Sequence, residues 1–169
     1  MSTLAEPLLM YLREHKENRG TMANLRCVLI DSKRQRAWPF LARFKGIGED
    51  FRALTVQYIA GFYATHPNEN TDRDFGDSCR CLMDGDERQK ITTSGEVGPV
   101  SRRFQHLLAA EGEEVFSRTL RFVMRCKSQD VSIDYQRLFD DLMQWQYYPE
   151  SVRTRWARSF WAPREEEGS

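Results

Sequence analysis

Residues 50–64 read DFRALTVQYIAGFYA, and this stretch decides the fold class. Its large apolar side chains recur at intervals of three and four residues, at Phe51, Leu54, Tyr58 and Phe62. Because an α-helix completes a turn in about 3.6 residues, this spacing places them on one helical face. His66 and Pro67 follow the stretch and end the predicted helix, since proline cannot continue one. The stretch therefore predicts a helix with one side buried in a core.

Helical periodicity extends to both sides of this stretch. Toward the N-terminus, the sequence predicts a helix from near Glu6, a second helix after a break at residues 18–20, and a short helix through residues 40–44. Toward the C-terminus, apolar stripes predict four helices after Pro99, of which the last begins at Pro149. No segment alternates apolar and polar residues in the manner typical of a strand. The expected fold is therefore all-α, a single-domain helical bundle.

The stretch from residue 68 to residue 98 differs from its surroundings, because it is polar and contains glycine. Its brief apolar part, residues 79–83, predicts one short helix within a loop-rich acidic insertion. This insertion belongs to a predicted helical domain that covers residues 1–163. The acidic residues at the end, 164–169, are predicted to form a disordered tail.

The composition is that of an ordinary globular protein, with 169 residues, 40% hydrophobic residues, 30% charged residues and zero net charge. The longest apolar stretches are too short to cross a bilayer, and no secretory signal is visible. The four cysteines lack the spacing of a disulfide framework, and free thiols are typical of a reducing compartment, so a cytoplasmic protein is expected. Cys79 and Cys81 form a C-x-C pair without a nearby histidine, which predicts ordinary thiols rather than a zinc site.

Charge is segregated along the chain although its sum is zero. Basic residues dominate from Arg13 to Arg52 and again beyond Pro99, whereas acidic residues dominate from Glu69 to Glu87. Segregation of this kind favours a basic surface that meets phosphate, with the acidic residues directed elsewhere.

The clearest basic face lies on the predicted helix after Gly112. Arg118, Arg121 and Arg125 are spaced by three and four residues and therefore project from one side of that helix. The preceding helix adds a basic pair near its start, Arg102 and Arg103. Because guanidinium groups make bidentate contacts to phosphate oxygens, these side chains are candidates for binding nucleic-acid backbone. A solvated face that only keeps the protein soluble explains the same spacing equally well.

The basic residues nearer the N-terminus show a weaker pattern. Arg19, Arg26 and Lys33 are seven residues apart and would align on one continuous helix, but a glycine and an aspartate oppose that continuity. Spacing alone therefore favours a solvated face over a phosphate site there. Arg43, beside Phe44 on the predicted short helix, is a single further candidate.

Carboxylates supply the main catalytic alternatives. Asp140 and Asp141 are adjacent, and adjacent helical side chains point about 100° apart, so an exposed acidic pair is favoured over a catalytic one. A hydrolase or nuclease could hold a metal on the acidic residues 72–86, above all on Asp74 and Asp77. No histidine or lysine is placed with those acids to complete such a site. The chain is therefore expected to be no enzyme and to bind no metal and no cofactor.

Six short elements along the chain carry a resemblance to a known family. They are Arg19-Gly20-x-x-Ala23-x-Leu25-Arg26, Ile59-Ala60-Gly61-Phe62-Tyr63-Ala64-Thr65-His66-Pro67, Ser101-Arg102-Arg103-Phe104-Gln105-His106-Leu107-Leu108, Leu120-Arg121, Ile133-Asp134-Tyr135-x-x-Leu138-x-x-Asp141-Leu142-x-x-Trp145 and Val152-Arg153-x-x-Trp156-Ala157-x-x-Phe160. In order and spacing they resemble the CasB family, the small subunit of the type I-E CRISPR surveillance complex, Cascade. The resemblance covers most of the chain outside residues 68–98. The family often has a second arginine after the first element, and here Cys27 stands at that position.

The resemblance implies a non-catalytic role in antiviral defence. Two copies of the family's small subunit stack along the inner side of a complex that carries guide RNA. They stabilise the hybrid of guide RNA and target DNA together with the displaced non-target strand, while base pairing reads the sequence. The partners that the resemblance implies are therefore the guide RNA, both DNA strands, the other subunits and a second copy of the chain. No membrane partner is expected.

The resemblance also implies which arginines contact the nucleic-acid backbone, namely Arg19, Arg26, Arg102, Arg103 and Arg121. Arg43, Arg118 and Arg125 are added from the helical faces alone. The alternative function is that of a helical protein–protein adaptor, which would bind no nucleic acid and would use its arginines in salt bridges to acidic partners.

Overall fold

The structure, a computed structural model, describes residues 4–162 and is helical through most of that range. In chain order the helices are α1 (Ala5–Glu14), α2 (Arg19–Arg26), α3 (Trp38–Leu41), α4 (Phe51–Thr65), α5 (Phe75–Arg80), α6 (Gly85–Ser94), α7 (Pro99–Leu108), α8 (Glu114–Gln129), α9 (Tyr135–Trp145) and α10 (Pro149–Trp161). Short 3-10 helices cover Cys27–Leu29, Asp31–Arg36 and Ala42–Phe44. An isolated parallel bridge joins Glu69 to Ile133 and is the only β pairing in the described range. The predicted all-α class is therefore confirmed.

Helix α4 lies at the centre of the fold, where it contacts α1, α2, α8 and α9. Its side chains are buried on every side, except that Arg52 and Tyr58 are half-buried. The carboxylate of Asp50 begins the helix by accepting a hydrogen bond of 2.9 Å from a backbone N–H group of the first turn. His66 ends the helix, and its Nε2 atom lies 2.6 Å from the carbonyl oxygen of Val131. The sequence predicted that one side of this helix is buried, whereas in the structure its neighbours bury nearly all of it.

The N-terminal helices follow the prediction except at Gly20 and in the short helix, which begins at Trp38 and continues as a 3-10 helix over Ala42–Phe44. Pro7 lies in the first turn of α1, as expected. Gly20 does not break the chain but lies inside α2, which begins at the capping side chain of Asn18. Because α2 ends at Arg26 and 3-10 helices follow it, the alignment of Lys33 with the arginines of α2 does not form.

The segment from residue 68 to residue 98 contains two helices, α5 and α6, where the sequence predicted one short helix in a loop-rich insertion. Helix α5 packs so closely on α10 that a Cβ atom on Gly76 would lie 2.3 Å from the carbonyl oxygen of Trp156. Helix α6 is polar, and its buried side chain is Glu87, whose carboxylate accepts a hydrogen bond of 2.9 Å from the backbone N–H group of Ser101 in α7. A helix of six residues and a helix without an apolar stripe both lack the periodicity that reveals helices in sequence.

The C-terminal helices are those that the apolar stripes predicted, and α10 begins at Pro149. Trp145 and Trp156 are buried in the core. The buried carboxylate of Asp141 accepts hydrogen bonds from the indole N–H group of Trp156 at 2.8 Å and from Arg155 at 2.6 Å, which joins α9 to α10. Asp141 is therefore a structural residue, and the expectation of an exposed acidic pair at Asp140 and Asp141 is wrong, because Asp141 is buried.

The predicted acidic tail, residues 164–169, lies outside the residues that the structure describes. Among residues 4–162, none of the helices combines the length and the apolar character that spanning a membrane requires.

Candidate nucleic-acid interface

Helix α7 presents two exposed arginines near its N-terminal end. Pro99 begins the helix and Phe104 faces the core, so Arg102 and Arg103 lie on the solvent side. The positive end of the helix is already occupied, because the carboxylate of Glu87 accepts hydrogen bonds from its first backbone N–H groups. Neither arginine side chain has a hydrogen-bond or ion-pair partner within residues 4–162. An external anion would therefore meet the two guanidinium groups rather than the helix backbone.

Helix α8 lies beside α7 and carries further arginines. The rings of Phe104 and Phe122 pack edge-to-face between the two helices, with their centroids 6.1 Å apart. On the side of α8 that faces away from the core, Arg121 is exposed and Arg125 is half-buried. Their side chains, too, have no polar partner in the described part of the chain. We define the arginine surface as the set Arg102, Arg103, Arg121 and Arg125.

Arg118 lies on the same side of α8, but the fold uses its guanidinium group. Its Nη1 atom donates a hydrogen bond of 2.8 Å to the carbonyl oxygen of His106, and its Nη2 atom lies 3.2 Å from the carboxylate of Glu114. The side chain is 17% exposed. Arg118 therefore holds α8 against the C-terminal end of α7 and offers fewer donors to a phosphate than Arg121 does.

Met124 is a half-exposed apolar side chain on the solvent side of α8, between Arg121 and Arg125 in the sequence. The sequence contains one signal for it, an apolar residue that stands between Arg121 and Arg125 on the basic face. Apolar side chains in such a setting can pack against bases, whereas the arginines contact phosphate. Met124 is thus a residue of the candidate interface that sequence reasoning missed.

The two candidate arginines of α2, Arg19 and Arg26, lie apart from the arginine surface. Helix α4 packs against both α2 and α8. Arg19 is exposed at the start of α2 and has no side-chain partner within the described residues. Arg26 donates a hydrogen bond of 3.0 Å to the carbonyl oxygen of Ala64, in the last turn of α4. Because the C-terminal end of a helix carries a partial negative charge, this contact favours a structural use of Arg26.

Arg43 contacts aromatic rings rather than open solvent alone. Its guanidinium carbon lies 4.3 Å from the ring centroid of Tyr11 and 5.0 Å from that of Phe44, which is cation–π geometry. These side chains line a groove of about 520 Å³ that also includes the carboxylates of Glu6 and Glu14. The structure therefore places Arg43 in a mixed groove, apart from the arginine surface.

The carboxylates that the alternative hydrolase or nuclease would need for a metal ion cap a helix instead. Asp74 and Asp77 form a capping box at the start of α5, in which each side chain accepts a hydrogen bond from the other's backbone N–H group. Asp74 also accepts a hydrogen bond of 2.8 Å from the hydroxyl of Ser159 on α10. Burial, and then the neighbouring Asp74 carboxylate, raise the pKa of Asp77. Within residues 4–162, no group of three or more potential ligand side chains is arranged to hold a metal ion.

The cysteine pair of the sequence lies on and just after α5. Cys79 is buried, and that burial raises the pKa of its thiol well above the ordinary value. Cys81 is half-buried, and its sulfur lies 3.4 Å from the guanidinium group of Arg73. Cys27, which stands where the CasB family often has arginine, lies with its sulfur 3.4 Å from the carbonyl oxygen of Ala23 in the preceding turn. It offers no positive charge to a phosphate.

Comparison with known families gives one match over most of the chain. A family model described as CRISPR-associated protein Cse2 matches residues 21–161. Among curated proteins, no relative matches at a significant level.

Several solved structures are similar to the chain over nearly its whole length. A Cse2-family CRISPR-associated protein from Thermus thermophilus is 26% identical, with a TM-score of 0.71 over 95% of this chain and 98% of that one. CasB from Thermobifida fusca is 20% identical, with a TM-score of 0.73 over 96% of this chain and 99% of that one. A chain of a CRISPR RNA-guided surveillance complex is 19% identical, with a TM-score of 0.74 over 98% of this chain and 95% of that one. The last two show a likeness of fold.

Proposed function

Because the chain belongs to the CRISPR-associated Cse2 family, we propose that it is a non-catalytic subunit of a CRISPR RNA-guided surveillance complex in the cytoplasm. The family match supports this proposal, and so does the likeness of fold to a chain of such a complex. The resemblance to CasB that the six sequence elements carry is confirmed by the same match. In this proposal the other subunits and a second copy of the chain are its protein partners.

The arginine surface is the proposed contact to nucleic acid, and one observation carries it. Four guanidinium groups on two adjacent helices have no polar partner inside the described fold, whereas those of Arg118 and Arg153 are hydrogen-bonded within it. A duplex or a single strand offers a row of phosphates, and neutralising them releases bound counterions and stabilises the complex. Contacts of this kind position a nucleic acid without reading its sequence.

Binding without sequence preference suits a complex in which base pairing with the guide RNA selects the target. Exchange of a DNA duplex for an RNA–DNA hybrid is nearly balanced in free energy, so a few backbone contacts can favour the open state. We infer that the arginine surface stabilises the hybrid of guide RNA and target DNA, or the displaced non-target strand, during antiviral defence. Zero net charge is compatible with this role, because four arginines without internal partners are grouped on α7 and α8.

The remaining candidate arginines are expected to contribute less to nucleic-acid binding. Arg19 is exposed and can add a phosphate contact from α2. Arg26 and Arg118 each donate a hydrogen bond to a main-chain carbonyl oxygen. Only the remaining N–H groups of their guanidinium groups are therefore available to phosphate. Arg43 is the weakest candidate, because its guanidinium group stacks on Tyr11 beside carboxylates.

The experiment that tests this function is purification of the tagged full chain from its native host, with and without ribonuclease, followed by sequencing of any bound RNA. We expect discrete short guide RNAs together with several other proteins. A purified complex that contains protein partners, survives ribonuclease unchanged and contains no RNA would contradict the proposal. That result would favour the alternative, a helical adaptor whose arginines bind acidic proteins.

A further inference from the structure

The turn between α9 and α10 carries two adjacent exposed aromatic side chains. Tyr147 is 72% exposed and Tyr148 is 65% exposed, more than any other large hydrophobic side chain among residues 4–162. Trp145, two residues earlier, is buried in the core. Single exposed apolar residues are common on protein surfaces, but two neighbouring tyrosines at this exposure are typical of interaction sites.

The backbone of this turn is held in place by the two helices. The N–H groups of Tyr147 and Tyr148 donate to the carbonyl oxygen of Gln144 at 3.1 and 2.8 Å, and the N–H group of Ser151 donates to the carbonyl oxygen of Tyr148 at 3.1 Å. A tyrosine on an ordered backbone loses only two side-chain torsions on binding, so little entropy opposes a contact. Ordered, exposed tyrosines of this kind are frequent energetic centres of protein interfaces.

Exposed carboxylates lie near the two tyrosines, while the two arginines at the start of α10 are engaged within the fold. Arg155 donates hydrogen bonds to Asp141 and Gln144, and Arg153 points inward. Arg153 donates hydrogen bonds of 2.6 and 2.7 Å to the carbonyl oxygens of Leu108 and Ala110, and it is 18% exposed. The two carboxylates paired with it, Glu111 and Glu150, are 86% and 82% exposed. The buried guanidinium group thus ties the turn after α7 to the start of α10, while two negative charges face solvent.

We propose that Tyr147 and Tyr148, together with Glu111 and Glu150, form a docking surface for an arginine- or lysine-bearing segment of another protein of the assembly. We name these four residues the tyrosine surface. A guanidinium or ammonium group can lie over a tyrosine ring and also pair with an exposed carboxylate. A nucleic acid is disfavoured there, since carboxylates repel phosphate. The partner's place in an assembly rests on the proposed function above.

The tyrosine surface and the arginine surface therefore have opposite charge and different partners. The arginine surface has unpaired guanidinium groups for phosphate, and the tyrosine surface has aromatic rings and carboxylates for a basic protein segment. A subunit with both can be fixed to its neighbours at one place and to nucleic acid at another. Substitutions at one surface should then leave binding at the other intact.

The test uses the surveillance complex purified from a host strain that lacks this chain, with its guide RNA, and the purified full chain added back. We expect Y147A/Y148A to weaken association with that complex by about tenfold or more, because exposed aromatic anchors dominate such contacts. E111Q/E150Q should weaken it by a smaller factor and reduce its dependence on salt. The matched control is M10A/I47A, which removes two half-exposed apolar side chains elsewhere and should associate like the wild type.

A second measurement identifies what touches the surface. A photo-crosslinking amino acid in place of Tyr147 should link the chain to a protein subunit at a peptide that contains arginine or lysine. Wild-type association of Y147A/Y148A, or crosslinks to guide RNA or DNA, would overturn the docking proposal while leaving the proposed function intact. Failure of the wild-type chain itself to associate would contradict the proposed function and, with it, the docking surface.

Discussion

The arginine surface and the C-terminal junction, where α10 packs on α5 and α9, use the same residue in opposite ways. In the junction, arginines donate to main-chain oxygens or to a buried carboxylate: Arg80 to Phe160, Arg153 to Leu108 and Ala110, and Arg155 to Asp141. On the arginine surface, the guanidinium groups have no such partner in the described part of the chain. The role of an arginine in this protein thus depends on whether an acceptor lies within its reach.

Both uses occur within the sequence elements that carry the family resemblance. Arg153 belongs to the last element and is enclosed, whereas Arg102 and Arg103 belong to the third element and are unpaired within residues 4–162. Arg26 of the first element lies between these extremes, because it is exposed and still donates to the carbonyl oxygen of Ala64. The six elements of this chain therefore include residues that hold the fold and residues that are available to a ligand.

The largest expected effect on stability comes from Arg153→Ala. It leaves the carbonyl oxygens of Leu108 and Ala110 without their donor and should lower the free energy of unfolding by about 2–4 kcal/mol. Urea denaturation followed by circular dichroism measures this change. The control is Arg158→Ala, an exposed arginine on the same helix, with an expected change within about 0.5 kcal/mol. Equal stability of the two variants would show that the hydrogen bonds of Arg153 do not stabilise the C-terminal junction.

A smaller loss is expected from Gly76→Ala, which tests the packing of α5 on α10. The added methyl group would lie 2.3 Å from the main-chain oxygen of Trp156, so the helices must separate at a cost of about 1–3 kcal/mol. Gly85→Ala is the matched control, because a methyl group there meets no atom within 4 Å. Thermal denaturation compares the two. If Gly76→Ala proved as stable as its control, the close packing of α5 on α10 would not contribute to stability.

The smallest expected effect is the pH dependence that Asp77 contributes. Burial and the Asp74 carboxylate raise the pKa of Asp77 in the folded state, so its protonated form contributes stability that is lost as the pH rises through that pKa. Asp77→Asn keeps an acceptor for the backbone N–H group of Asp74 and removes the charge. It should therefore raise the melting temperature slightly near pH 7 and leave it unchanged near pH 3, below the ordinary carboxyl pKa.

The control for this variant is Asp72→Asn, whose side chain is exposed and should show no such difference. A lower melting temperature of Asp77→Asn near pH 7 would show that the ionised carboxylate is needed. That outcome would favour a bound cation, as the rival hydrolase or nuclease requires.

The long apolar helices could be predicted from the sequence, and the short or polar ones could not. Helices α4, α7 and α8 each bury apolar residues at helical spacing, which is visible in the sequence. Helix α5 has six residues, and α6 buries one carboxylate instead of an apolar stripe. Their stability comes from capping and from contacts with α7 and α10, which a sequence pattern does not contain.

The candidate site, too, could be predicted only in part from the sequence. Spacing along α8 indicates which arginines share a side, and the structure places Arg121 and Arg125 there without polar partners among the described residues. Spacing could not indicate that Arg118 reaches the carbonyl oxygen of His106, because that acceptor belongs to the main chain of another helix. The ring of Tyr11 beneath Arg43 comes from a distant part of the sequence and was equally hidden.

The most direct test of the account is retention of target DNA by the complete surveillance complex that contains R102A/R103A/R121A. The control K16A/K90A/R158A removes the same number of positive charges from exposed positions outside the arginine surface. We predict that both variants fold and join the complex, and that only the first retains DNA about tenfold or more weakly at physiological salt. Its dependence on salt should also fall, by about 2–3 in the slope of log K against log salt concentration. Equal retention by the two variants would contradict the assignment of the arginine surface to nucleic acid.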